Sequence, residues 1–119
     1  MSFTFEVRES IEETIFIISG RFDAFESPNV AAKLNEIMKT GRYNFTVDLS
    51  QTIFIDSTAL AELVKAMRRS RQFGGDLTLR SPSEPVSVIL ELTALDKAFV
   101  ITADRRLEID QSVSNQMDS

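Results

Sequence analysis

Apolar residues along this chain repeat every second position, then every third or fourth, then every second again, which commits the fold to a sheet covered by helices. Phe3, Phe5 and Val7 alternate with Thr4, Glu6 and Arg8, the pattern of a strand with one buried face. A charged break from Glu9 to Glu13 leads to Ile15-Phe16-Ile17-Ile18, a more central strand that Gly20 should end. These two strands suit a hairpin across the acidic turn. Ser27-Pro28 places a serine as a helix N-cap with proline at the first helical position. Val30, Leu34, Ile37 and Met38 then share one helical face, and Gly41 stops the helix. Phe45, Val47 and Leu49 mark the next strand, and Ser50 to Asp56 is expected to connect it to a second helix.

Asp56 or Ser57 caps that second helix, whose stripe is Leu60, Leu63, Val64 and Met67, and Gly74-Gly75 ends it. Leu77 and Leu79 predict a short strand, and Pro82 and Pro85 bracket the start of a third helix bearing Val86, Ile89, Leu90 and Leu92. Phe99-Val100-Ile101 predicts a last strand, and Thr102 or Asp104 a cap for a final helix with Leu107 and Ile109. The order is β-β-α-β-α-β-α-β-α with about four helices. Repeated β-α-β units imply right-handed crossovers, and the opening hairpin makes the sheet mixed but mostly parallel. The expectation is one α/β domain over residues 1–110, followed by a polar, flexible tail at 111–119.

With 119 residues, 43% of them hydrophobic, the chain can build one ordinary core without crosslinks. Histidine and cysteine are both missing. Thiolate nucleophiles, disulfides, Ser-His-Asp catalysis and the common zinc sites are thereby excluded, so a binding role is expected, with no cofactor and no metal. The net charge of −5 argues against direct nucleic-acid binding, which needs a basic surface. No apolar run approaches the ~20 residues of a membrane-spanning helix, and Met1 to Glu6 lacks the regions of a signal peptide. The expected location is the cytoplasm, without membrane insertion.

The stretch Val47-Asp48-Leu49-Ser50 to Ile55-Asp56-Ser57-Thr58-Ala59-Leu60 carries the chemistry. A strand here delivers a serine to the start of a helix, where outward-pointing amides tolerate an anion. A phosphate on Ser57 would add about −1.5 to −2 charge, welcomed by the helix dipole and opposed by Asp56. Asp and Ser are also the commonest plain helix caps, and spacing alone leaves both readings open.

The same stretch resembles the signature of STAS domains, the fold of bacterial anti-sigma-factor antagonists. Gly20-Arg21-Phe22-Asp23-Ala24 resembles the family's Gly-x-hydrophobic-Asp turn before the first helix, and Gly74-Gly75-Asp76-Leu77 its turn into the fourth strand. The resemblance runs from about residue 3 to residue 110. It implies that Ser57 is a phosphoacceptor, and that Asp23, Asp56, Ser57, Thr58, Ala59 and Leu60 lie on a docking face. It also implies a partner-switching cycle. The unphosphorylated form binds an anti-sigma factor that is also a serine kinase, phosphorylation breaks the complex, and a phosphoserine phosphatase resets it. Ala59 stands where the family usually has glycine, which leaves an alternative: a constitutive STAS subunit of a lipid transporter or signalling assembly.

Other signals receive plainer readings. Lys65, Arg68, Arg69 and Arg71 complement the end of the second helix dipole as a solvated face, with a secondary docking patch for an acidic partner as the alternative. Glu9, Glu12 and Glu13 are turn charge, and Phe22 and Phe25, which flank Asp23, are read as core residues in preference to partly exposed residues of a binding turn.

Overall fold

The computed structural model describes residues 2–103. Among the described residues the chain forms β1 (Thr4–Glu9), β2 (Thr14–Phe22), α1 (Ser27–Met38), β3 (Asn44–Ile55), α2 (Ser57–Gln72), β4 (Asp76–Arg80), α3 (Glu84–Leu92), a 3-10 turn (Leu95–Lys97) and β5 (Val100–Thr102). The strands form one sheet in the order β1-β2-β3-β4-β5. β1 runs antiparallel to β2, and the remaining pairs are parallel. Each crossover advances one strand in the same direction, so the right-handed rule places all of its helices on one face of the sheet.

That face is the core. Phe16, Ile18 and Phe22 of β2, Val47 and Leu49 of β3, and Leu77 and Leu79 of β4 are fully buried against Val30, Leu34, Leu63, Val86 and Leu90 of the helices. The alternation in β2 is clean, with residues 14, 16, 18, 20 and 22 turned inward.

The elements follow the expected order, with differences in extent. β2 does not end at Gly20 but bends there, with positive φ and a shifted register, and continues to Phe22. Only a residue without a Cβ fits, because the Ser2 backbone crosses directly over it. β3 does not end at Leu49, and the expected connection from Ser50 is strand as far as Ile55. It pairs Ser19 with Gln51, Gly20 with Thr52 and Phe22 with Ile55. Thr52 is buried and donates to the Ile18 carbonyl at 2.8 Å, so a residue that looks like loop is holding the sheet together.

Ser27 is not the cap of α1 but its first residue, preceded by Glu26 as N-cap, and it lies buried. The Asn29 N–H, which a Ser27 cap could have satisfied, donates to the Glu26 carbonyl at 3.1 Å instead, and the Ser27 N–H itself donates to the Asp23 carbonyl at 2.8 Å. Leu92 was expected on the buried stripe of α3, but it faces outward at 78% exposure, two positions past Leu90 and so off that face. Leu107, Ile109, the expected final helix and the 111–119 tail lie outside the described residues.

The opposite face carries a polar pair at its centre. Asp48 and Arg80 sit opposite each other on β3 and β4 and pair at 3.0 Å. Asp48 Oδ1 also accepts the Ser50 hydroxyl at 2.7 Å and the Ser50 N–H at 2.9 Å. Burial alone would push the Asp48 carboxyl up, but the Ser50 hydrogen bonds and the Arg80 guanidinium together hold it below the usual carboxylate value. A depressed folded value means that the stabilisation is present above the unfolded aspartate range, near pH ~4, and lost as the pH falls through the folded value. Asp48→Asn is therefore expected to cost about 1–2 kcal/mol in urea unfolding at pH 7. The gap between mutant and wild type should shrink as the pH drops below ~4. A gap that does not change with pH would remove this account of the pair.

Candidate functional site

β3 and α2 meet at Asp56, and the site is built around its carboxylate. Asp56 leaves the strand in extended geometry and its backbone N–H donates to the Phe22 carbonyl, which fixes the end of β3 against the end of β2. Oδ1 accepts the Ala59 N–H at 2.9 Å and so caps α2. Oδ2 accepts the Ala24 N–H at 2.8 Å. One carboxylate therefore ties together two loops that are 32 residues apart in the chain. Of the two caps the sequence allowed, Asp56 is the one used.

Asp23 organises the second loop. Its Oδ1 accepts the N–H groups of Phe25 and Glu26, each at 3.1 Å, and its carbonyl accepts those of Glu26 and Ser27. This is an aspartate-closed turn leading directly into α1. Asp23 and Asp56 both spend their carboxylates on backbone amides, so they shape the face by positioning their loops.

The remaining expected site residues separate by burial. Ser57 and Thr58 are exposed on the first turn of α2. No described group hydrogen-bonds the Ser57 hydroxyl. Ala59 is fully buried and Leu60 is 4% exposed, so both lie beneath the surface that Ser57 presents. The Ala59 methyl points into the core, and the departure from glycine leaves the approach to Ser57 unobstructed. Among the described residues no group of acidic side chains could hold a metal ion, and no helix is long and apolar enough to cross a membrane.

From Ser57 a shallow groove of about 390 Å³ runs along α2, floored by Leu60, Val64 and Leu95 and edged by Lys65 and Arg68. The basic cluster divides here. Lys65 pairs with Glu62 at 2.9 Å, while Arg71 pairs with Asp76 at 2.8 Å and donates to the Ala98 carbonyl. Arg68 makes no ion pair among the described residues.

Two further features mark this end of the molecule. The Arg21 guanidinium lies 4.1 Å from the centre of the Phe54 ring, joining neighbouring strand ends by a cation–π contact. Phe25, expected in the core with Phe22, is 83% exposed at the tip of the Asp23 turn, whereas Phe22 is fully buried. The turn ends before α1 begins, so Phe25 is out of step with the inward stripe of Val30 and Leu34.

Comparison with known proteins agrees with this architecture. The family model described as STAS domain matches residues 2–114. The Anti-sigma-B factor antagonist of Listeria monocytogenes is 28% identical over 102 residues, covering 85% of this chain and 90% of the relative. The protein of the same name from Listeria innocua matches to the same extent. Among solved structures, the anti-sigma factor antagonist SpoIIAA in its unphosphorylated form superposes with a TM-score of 0.77 at 18% identity, covering 93% of this chain and 97% of that one. The Bacillus cell fate determinant SpoIIAA in its phosphorylated form gives 0.72 at 18% identity, over 92% and 99% of the two chains. An anti-sigma-factor antagonist (STAS) domain protein from Planctomyces limnophilus gives 0.75 at 19% identity, over 97% and 98%.

Proposed function

The chain belongs to the STAS domain family, and from that premise we propose that it is a cytoplasmic anti-sigma-factor antagonist switched off by phosphorylation of Ser57. The observation that carries this reading is the placement of Ser57. It is exposed, it is the first residue of α2, and it follows an Asp56 cap whose carboxylate is already fully engaged. The names of the Listeria relatives support the antagonist role, and the phosphorylated SpoIIAA structure supports control by phosphate.

The mechanism is electrostatic. In the unmodified protein, Ser57 and Thr58 present small neutral hydroxyls beside the groove, and the anti-sigma factor docks against them. That partner is proposed to be a serine kinase as well. A phosphate on Ser57 adds about −1.5 to −2 charge that the α2 amides stabilise without rearranging either loop. The docked partner would have to strip water from that charge beside Asp56, and the complex dissociates. A phosphoserine phosphatase restores the neutral form. No step requires catalysis by this chain, which acts as a binding protein.

The test is the intact mass of the protein isolated from its own cells under varied growth conditions. The expected result is a species heavier by one phosphate, mapped to Ser57, removed by phosphatase and missing in Ser57→Ala. A protein that stays unmodified under every condition, held permanently in a larger assembly, would replace this reading with that of a constitutive STAS subunit.

A further inference from the structure

We propose that Phe25 is the apolar anchor of the docking face, inserting its ring into a phenyl-sized apolar pocket on the anti-sigma factor that reads Ser57. The proposal rests on the reading of function above and adds to it the residue that supplies affinity rather than switching.

Exposure alone would not single Phe25 out, because Ile11, Phe73 and Leu92 are exposed as well. Ile11 sits at the tip of the β1–β2 hairpin, and Phe73 is stacked on Tyr43 at 4.5 Å. Leu92 ends α3. Phe25 differs in three respects. It is the most exposed aromatic residue described, at 83%, and it makes no aromatic pair among the described residues. Its backbone is held, since its own N–H is bonded to Asp23 Oδ1 and its neighbour Ala24 donates to Asp56 Oδ2. Above all, Asp56 is the residue immediately before Ser57, and its other oxygen caps the helix that Ser57 begins. The backbone that carries Phe25 and the start of the helix that carries Ser57 are therefore latched to one carboxylate, and a partner seated on Ser57 meets the Phe25 turn beside it.

The physical chemistry favours an anchor. A phenylalanine left in water contributes little to folding, while burying it at an interface releases its full apolar area. Binding hot spots are commonly aromatic side chains already held in their bound position, because little ordering entropy is left to lose. Here the turn is ordered before the partner arrives. Asp23 accordingly becomes a positioning residue, acting on the partner through the place it gives Phe25.

The test uses the purified anti-sigma factor that the unmodified chain retains from its own cells and that Ser57 phosphorylation releases. Its affinity is measured by calorimetry for wild type, Phe25→Ala, Phe25→Leu and Ser57→Asp. Phe25→Ala is expected to weaken binding about 30-fold, with an unchanged thermal midpoint, and Phe25→Leu to recover most of the loss. A Phe25→Ala effect below about threefold, with Ser57→Asp still inactive, overturns the anchor and leaves the switch standing. Loss with Phe25→Ala but normal binding by Ser57→Asp does the reverse. If Phe25→Ala changes only the sedimentation of the chain by itself, the ring faces a second copy and the proposal fails. If no such anti-sigma factor is retained, the anchor and the functional reading fall together.

Discussion

Ser57→Asp is expected to weaken binding to the anti-sigma factor by about 100-fold while leaving the fold as stable as before. The two halves of this result have separate causes. Ser57 is exposed and its hydroxyl has no described partner to lose, so the substitution breaks nothing. A carboxylate on the first turn of α2 also interacts favourably with the helix dipole, by ~0.3–1 kcal/mol. Stability should hold or rise slightly. Binding suffers because the new charge lies beside Asp56 and must be dehydrated under the partner. Urea unfolding and calorimetry on the same preparation check both halves. Full affinity in Ser57→Asp would end the electrostatic account of the switch, and a lost fold would show that Ser57 is needed for structure.

Gly75→Ala is expected to show the largest loss of stability, about 3 kcal/mol or more. A Cβ at Gly75 would overlap the backbone carbonyl oxygen of Tyr43, and would also press on the Tyr43 Cβ at 2.9 Å. Neither neighbour can yield easily. The Tyr43 carbonyl accepts the Asp76 N–H at 3.0 Å where β3 and β4 begin, and the Tyr43 ring is stacked on Phe73. Gly74→Ala is the matched control. Its Cβ would meet open space, and only the positive φ of 84° opposes it, a cost of about 1 kcal/mol. Equal losses for the two variants in urea unfolding would show that the close approach at Gly75 relaxes.

The alternation of strands and helices was legible because apolar period is a strong signal wherever one face is buried. It succeeded for Phe16 and Ile18, for Leu60, Leu63 and Met67, and for Leu77 and Leu79. It failed where polar residues are strand for reasons that only pairing reveals. Ser50 and Thr52 look like the start of a loop, yet Ser50 bonds the strand residue Asp48 and Thr52 the Ile18 carbonyl within the sheet. Gly20 looks like a stop, but the strand bends there and carries on.

At the candidate site, the sequence points to Asp23, Asp56 and Ser57 but not to how the two aspartates divide the backbone amides of the two loops. Nothing in the sequence shows that one aspartate serves two loops, since Ala24 and Asp56 become neighbours only through the pairing of β2 with β3. Exposure of Phe25 is the less favoured of its two sequence readings, yet spacing points to it. It stands five residues before Val30, off the three-to-four spacing of the α1 stripe, and it follows an aspartate that favours a closed turn.

The shared bond at Asp56 has a consequence for timing. Because both loops are latched to one carboxylate, a phosphate on Ser57 would meet a site that is already held in place. Under the proposed switch, the response would contain no slow internal step, and its pace would be set by the enzymes that add and remove the phosphate and by how quickly the partner leaves. A device built on that switch would work as a memory element, storing one bit in a covalent bond and reporting it without moving.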